Sequence, residues 1–188
     1  MGRRAQKKAE TRDALITAAY ELFRERGFGA TTMDDVAEHA GVSRRTAFRY
    51  FPSKETLVFP HRPRRLERFA ALLEPVDGER PFDAVRRACL ELAREYVDSR
   101  DELLVQYAIL ENEPALRGRE LELDREYEDV LARALGRGRI TRRARVWAGA
   151  ILGAIQSVLR EWLETGAEGD LVRLGREAFA MLEAGADE

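Results

Sequence analysis

Along nearly the whole chain the apolar residues recur every three or four positions, and nowhere do they alternate strictly with polar ones. That spacing belongs to the α-helix, whose 3.6-residue period gathers positions i, i+3, i+4 and i+7 onto one face. Leu15, Ala18, Ala19, Leu22 and Phe23 make one such stripe, and Phe82, Val85, Cys89, Leu92 and Tyr96 another. Further stripes run through Leu103, Tyr107 and Leu110, through Leu123, Tyr127 and Val130, through Trp147, Ile151 and Ile155, and through Leu171, Leu174 and Ala178. A chain that can bury its apolar surface only along helical stripes must pack helix on helix, so the expected class is all-α. With 188 residues, 45% of them hydrophobic, it is long enough for one or two small domains with a real core.

The first third is punctuated closely. Thr11 is placed to cap a helix running to Arg26, which Gly27 and Gly29 end. Thr32 caps a second helix, and Asp35 three residues on suggests a capping box with Asp in place of the usual Glu. Gly41 breaks that helix and Ser43 caps a third at once. The third helix lies in the stretch GVSRRTAFRYFPSK, residues 41–54, and is stopped by Pro52. A core helix has no use for so many cations, nor a plain surface helix for so many rings.

Two short helices joined by a tight glycine turn make a helix-turn-helix, a unit whose second helix enters the DNA major groove with its N-terminal residues at base edges. Arg44 and Arg45 stand at that start, where bidentate contact to guanine is available, and Thr46 can meet a base or a thymine methyl. Ala47 and Phe51 fit packing back onto the first two helices, Tyr50 can offer its hydroxyl to a phosphate, and Lys54 opens the next helix. The charge distribution agrees. Residues 1–65 hold 14 Lys/Arg against 8 Asp/Glu, whereas residues 66–188 hold 18 against 26. A basic head on an acidic body suits a head that meets a polyanion. Arg3, Arg4, Lys7 and Lys8 are expected to form either a disordered arm that reaches the adjacent groove or backbone with a modest, non-specific attraction, or a solubilising terminus.

Residues 11–57 resemble the DNA-binding domain of the TetR family of transcriptional regulators. The resemblance rests on AAYELFRERGFGATTMDDVAEHAGVSRRTAFRYFPSKETL, above all on Gly41, Val42, Ser43, Thr46, Tyr50, Phe51, Pro52, Ser53, Lys54 and Leu57. It implies a three-helix DNA-binding head over residues 1–57 and a helical body over residues 58–188 for ligand binding and dimerisation. It also implies a homodimer on an inverted-repeat operator in double-stranded DNA, and a repressor released by a small-molecule effector. By the family pattern Arg44, Arg45, Thr46, Phe48, Tyr50 and Lys54 match DNA-contacting positions, and Thr32 and Met33 match a phosphate-contacting turn. Phe48 departs from the pattern, since many members carry tyrosine there. Its ring either lies against DNA without the phosphate hydrogen bond or belongs to the core.

The body says less. A fourth helix is expected from Ser53, interrupted by Pro60 and Pro63, so that the joint between head and body is either a kink or a simple restart near Arg64. Polar-tipped or soft residues on inward stripes, namely Cys89, Tyr96, Tyr107, Tyr127 and Trp147, suit a pocket for a mostly apolar small molecule, or else an aromatic core. Residues 141–163 are dense in Ala and Gly and, with the last helix, resemble the family's four-helix dimer interface, the competing view being packing within one chain.

Other classes find little support. The two histidines, His39 and His61, lie in or beside the head, and no nucleophile elbow, metal pair or phosphate loop is present, so neither an enzyme nor a cofactor or metal protein is expected. The single cysteine allows no internal disulfide and suits a reducing compartment. The N-terminus lacks the apolar segment of a secretory signal, and the longest apolar run is too short to span a membrane, which points to the cytoplasm. The alternative that remains is a helical adaptor whose helix-turn-helix grips protein; its binding would survive salt that weakens DNA binding.

Overall fold

The computed structural model describes residues 2–187, and the side chains of all of these except 117, 119, 120, 186 and 187. Among the described residues the regular structure is entirely helical: α1 (Arg3–Arg26), α2 (Met33–His39), α3 (Arg44–Tyr50), α4 (Glu55–Val58), α5 (Arg62–Leu72), α6 (Pro81–Asp98), α7 (Arg100–Asn112), a 3-10 turn (Pro114–Leu116), α8 (Arg117–Leu135), α9 (Arg142–Glu164) and α10 (Leu171–Asp187). The chain forms two compact units. The first comprises Met1–Arg62 and Val105–Arg117, the second Pro63–Leu104 and Gly118–Glu188.

In the first unit α1 starts at Arg3, so the N-terminal cations lie on a helix and not on a disordered arm. The reason is local: residues 3–10 are Arg, Ala, Gln, Lys and Glu, all good helix formers. Gln6 also donates to the Glu10 carboxylate one turn on, at 3.1 Å. Thr11 therefore sits mid-helix, and its hydroxyl donates back to the Lys7 carbonyl at 2.9 Å instead of capping.

The capping box of α2 forms as its sequence suggests. The Thr32 N–H donates to Asp35 at 2.8 Å, and the Asp35 N–H donates to the Thr32 hydroxyl at 3.2 Å. The bonds from Thr32, with Arg26 3.1 Å away, hold the Asp35 carboxyl below its ordinary range. At the other end of α2, Gly41 takes φ +65, and the Val42 N–H reaches the Ala37 carbonyl at 2.9 Å while the Gly41 N–H reaches Glu38 at 3.0 Å. This is a helix end closed by a left-handed residue. A Cβ at Gly41 would meet nothing within 4 Å, so its cost is conformational alone. Gly41→Ala is expected to destabilise the first unit by about 1–2 kcal/mol, the penalty of a left-handed L-residue, read as a lower denaturation midpoint at unchanged slope.

Ser43 caps α3, accepting from the Thr46 N–H at 3.2 Å. The fourth helix departs from expectation. Lys54, not Ser53, precedes α4, which is a single turn, and the chain restarts at Arg62. Pro60 marks the break, whereas Pro63 lies in the first turn of α5, where no N–H is needed and no kink results.

The core of the first unit joins Leu15, Ala19, Leu22 and Phe23 of α1 to Val36, Ala37, Ala47, Phe51, Leu57 and Val58. Two residues from far along the chain complete it, Ile109 of α7 and Leu116 of the 3-10 turn. Polar bonds tie the same segment in. Buried Gln106 donates to the Tyr20 hydroxyl at 2.9 Å, the Tyr20 hydroxyl donates to the Val58 carbonyl at 3.3 Å, and the Gly29 N–H donates to Glu113 at 3.1 Å.

In the second unit α10 packs against α6 and α9. One core holds Phe69, Val85, Leu131, Ile151 and Phe179, and another surrounds Trp162 with Leu103, Ala167 and Leu171. Val146 of α9 and Met181 of α10 are left 66% and 73% exposed, and Gly149, Ala150 and Gly153 are exposed on α9 as well.

Candidate nucleic-acid interface

The outward face of α3 follows from what the helix buries. Ala47 and Phe51 are sealed in the core and Tyr50 packs against it, so the 3.6-residue period turns positions 44, 45, 48 and 49 to solvent. The four exposed side chains there are three arginines and a phenylalanine.

They are not equivalent. Arg44 pairs with Asp34 of α2 at 3.1 Å, and its guanidinium lies 5.5 Å from the centre of the Phe48 ring. Arg45 is exposed and, among the described residues, has no ion-pair or hydrogen-bond partner. Its donors are all available to a base edge or a phosphate. Phe48 is 39% exposed, which takes it out of the core and puts a ring on the surface of α3. Thr46 is half-buried, and its hydroxyl accepts from Ser43 at 2.9 Å. The Arg49 guanidinium lies 5.4 Å from the Tyr50 ring.

The remaining head residues fall around this helix in other roles. Thr32 spends its hydroxyl on the capping box, and the Met33 side chain is buried in the core, which leaves the main chain of that turn for a phosphate. Lys54 is heavily engaged. Its ammonium donates to the carbonyls of Phe28 at 2.6 Å and Thr31 at 2.9 Å, approaches Gly29 at 3.4 Å, and sits 4.2 Å over the Phe28 ring. It thus fixes the loop that leads into α2.

A cleft of about 820 Å³ lies beside α3. Arg4, Lys7 and Lys8 of α1 line one wall, and Thr46, Arg49 and Tyr50 of α3 line the other. The signal for it is readable in sequence: positions 4, 7, 8 and 11 continue the same helical stripe as Leu15, Ala18, Ala19 and Leu22.

Of the five body residues, three share one core and Trp147 borders it through Phe82. Cys89 and Tyr127 are buried in one core, Tyr127 stacking at a tilt on Phe69 at 5.6 Å. Tyr96 packs against that core under the Arg65 guanidinium, which lies 5.2 Å from its ring and also pairs with Glu102 at 3.3 Å. Half-buried Trp147 meets Phe82 edge-on at 6.0 Å. Tyr107 belongs to the first unit. Burial pushes the Cys89 thiol up to about 12, so it stays neutral and unreactive. Among the described residues no group of His, Cys, Asp or Glu is placed to hold a metal, and no helix is long and apolar enough to cross a membrane.

Comparison with known proteins supplies the context. Residues 15–59 match the family model "Bacterial regulatory proteins, tetR family", and residues 79–187 match the "MftR C-terminal domain". The HTH-type transcriptional regulator TcmR of Streptomyces glaucescens is 36% identical over 143 residues, which cover 71% of this chain and 62% of TcmR. The putative mycofactocin biosynthesis transcriptional regulator MftR of Mycobacterium tuberculosis is 28% identical across 97% of this chain and 94% of its own. In three dimensions the TetR-family repressor FadR of Thermus thermophilus, solved with lauroyl-CoA, superposes with a TM-score of 0.61 at 24% identity, covering 91% of this chain and 92% of that one.

Proposed function

The chain belongs to the TetR family of bacterial regulatory proteins, and from that premise we propose that it is a cytoplasmic repressor that binds an inverted-repeat operator as a homodimer and leaves it when a small molecule occupies the body. The observation that carries the reading is the outward face of α3, three arginines and a ring held out by a helix whose other side is locked into the core. Residues 1–57 meet the DNA. Residues 58–188 carry the effector and dimer surfaces, with 105–117 built into the DNA-binding unit.

Each side chain takes the role its surroundings leave open. Arg45 reads a base edge, since nothing else claims its donors. Arg44 trades Asp34 for DNA, so its gain is smaller. Thr46 meets a base, Tyr50 a phosphate, and the turn at Thr32 and Met33 a second phosphate through its main chain. Lys54 acts indirectly, by holding the Phe28–Thr31 loop that presents that turn. The exposed Val146, Gly149, Ala150, Gly153 and Met181 form the face on which a second copy seats. A mostly apolar effector enters among Cys89, Tyr96 and Tyr127, with Trp147 at the border through Phe82.

Phe48 supplies one test of the interface. Because its ring is already at the surface, Phe48→Tyr is expected to leave the melting temperature unchanged. The new hydroxyl should tighten operator binding by about 1 kcal/mol, the net worth of one hydrogen bond. Weaker binding with a lower melting temperature would mean the ring is structural.

The whole reading is tested by selecting duplexes from a randomised pool with the full-length protein and footprinting the winners. An inverted repeat protected over two half-sites is the expected outcome, and a single unpaired site would overturn the dimer. Any effector then found must obey reciprocity: the factor by which it weakens operator binding must equal the factor by which saturating operator weakens the effector. An effector indifferent to operator does not act by this route.

A further inference from the structure

A cationic concavity beside α3 excludes the first-turn arginines, Arg44 and Arg45, from its lining. On α1 the stripe that begins at Leu22 and runs back through Ala19, Ala18 and Leu15 is core-facing until Thr11, where the apolar residues give out. The same face then continues as Lys8, Lys7 and Arg4. A helix that only needed to be soluble would carry its cations on the opposite face. Here they overhang the edge of the first unit and, with Arg49 and Tyr50 of α3, enclose the cleft. Arg4, Lys7, Lys8 and Arg49 are exposed, and among the described residues none has an ion-pair partner. Glu10, the nearest acid on α1, lies outside the lining and bonds Gln6 instead. Four cations thus converge on one space with no internal counter-charge.

We propose that this cleft is a second, sequence-independent DNA clamp: the helical extension of α1 and the flank of α3 together grip the sugar-phosphate backbone of the strand bordering the groove that α3 enters. The proposal deepens the DNA-binding reading above and rests on it. The geometry suits a backbone better than a free anion. At 1.5 Å per residue, Arg4 to Lys8 extends about 6 Å along α1, which is close to the rise of two nucleotides along a strand. An open trough of this size accepts a passing strand, and its wall is shared with Thr46 and Tyr50, the residues proposed above to meet a base and a phosphate. The cations are carried on a helix that runs without a break from Arg3 into the core.

The test compares the salt dependence of binding for the full-length wild type, for Arg4→Gln/Lys7→Gln/Lys8→Gln, and for Arg3→Gln, a cation on the same extension that does not line the cleft. The probes are the best duplex selected from a randomised pool and one fixed duplex of unrelated sequence. Glutamine keeps helix propensity, and circular dichroism verifies it. The triple variant is expected to flatten the slope of log K against log salt by about 2 on both duplexes, as two phosphates go unneutralised, while its ratio between duplexes is unchanged. Between 50 and 200 mM salt the wild type then loses about tenfold more affinity than the variant. Arg3→Gln should barely alter the slope. An unchanged slope in the triple variant overturns the clamp, and so does an equal slope change from Arg3→Gln, which would make the extension a diffuse charge. Either result leaves DNA binding by α3 intact. A wild type that prefers neither duplex and shows no salt dependence sinks the underlying reading instead.

Discussion

Replacing Phe51 by alanine is expected to weaken operator binding at every salt concentration, although Phe51 touches no DNA in the proposed complex. Its ring is 2% exposed and closes the core of the first unit from the far end of α3. The Arg12 guanidinium lies 4.7 Å from the ring centre and donates to the Pro60 carbonyl. Truncating a buried phenylalanine costs about 3–5 kcal/mol through lost transfer energy and the cavity left behind. A domain of this size has about 5–15 kcal/mol in total, so at the middle of that range the unit that carries α3 loses about a third to a half of its stability, and at the bottom it is barely folded. Denaturation followed by circular dichroism checks the first half of the claim, and operator binding the second. Phe51→Leu, which refills most of the volume, should restore both. A Phe51→Ala protein with an unshifted midpoint would mean that α3 is not anchored where its burial says it is.

Arg45→Ala is expected to cost about 1–3 kcal/mol, and only at particular base pairs. The position is exposed, its donors are uncommitted, and it stands in the first turn of the helix that enters the groove. The neighbouring Arg44 is the control: it must give up Asp34 before it can bind, so Arg44→Ala should cost less. Binding to a panel of operators with single base-pair changes separates the two. If the wild type and Arg45→Ala rank that panel identically, Arg45 does not read bases.

The helix-turn-helix is legible in the sequence because its signals are local. Thr32 with Asp35, Gly41 and Ser43 each act on a neighbour within five residues, and each makes the bond its position foretells. Phe48 is undecidable from sequence for the opposite reason: whether a ring faces core or solvent depends on the rotation of α3 against α1 and α2. Lys54 has the look of a phosphate ligand, yet its ammonium meets three carbonyls 23 to 26 residues away, a partnership that no spacing rule announces. The extension of α1 passes for an arm only when charge density is weighed above helix propensity, since residues 3–10 contain no helix breaker. Among the body residues, periodicity places Cys89 and Tyr127 inward, but it does not say which helices share a core, and Tyr107 lies in the other unit.

That first unit is assembled from two separated pieces of chain, and this sets the order of events at its synthesis. Residues 2–62 emerge first and hold every side chain proposed to meet DNA, but Ile109, Leu116 and the Gln106 amide that meets Tyr20 arrive only after residues 63–104 have been made. Until then the nascent head has an open seat in its core and Tyr20 lacks that amide. DNA recognition is therefore not a detachable module at the front of this protein. A fragment cut at residue 62, or a graft of that fragment onto another body, carries the reading helix without the wedge that closes the core behind it.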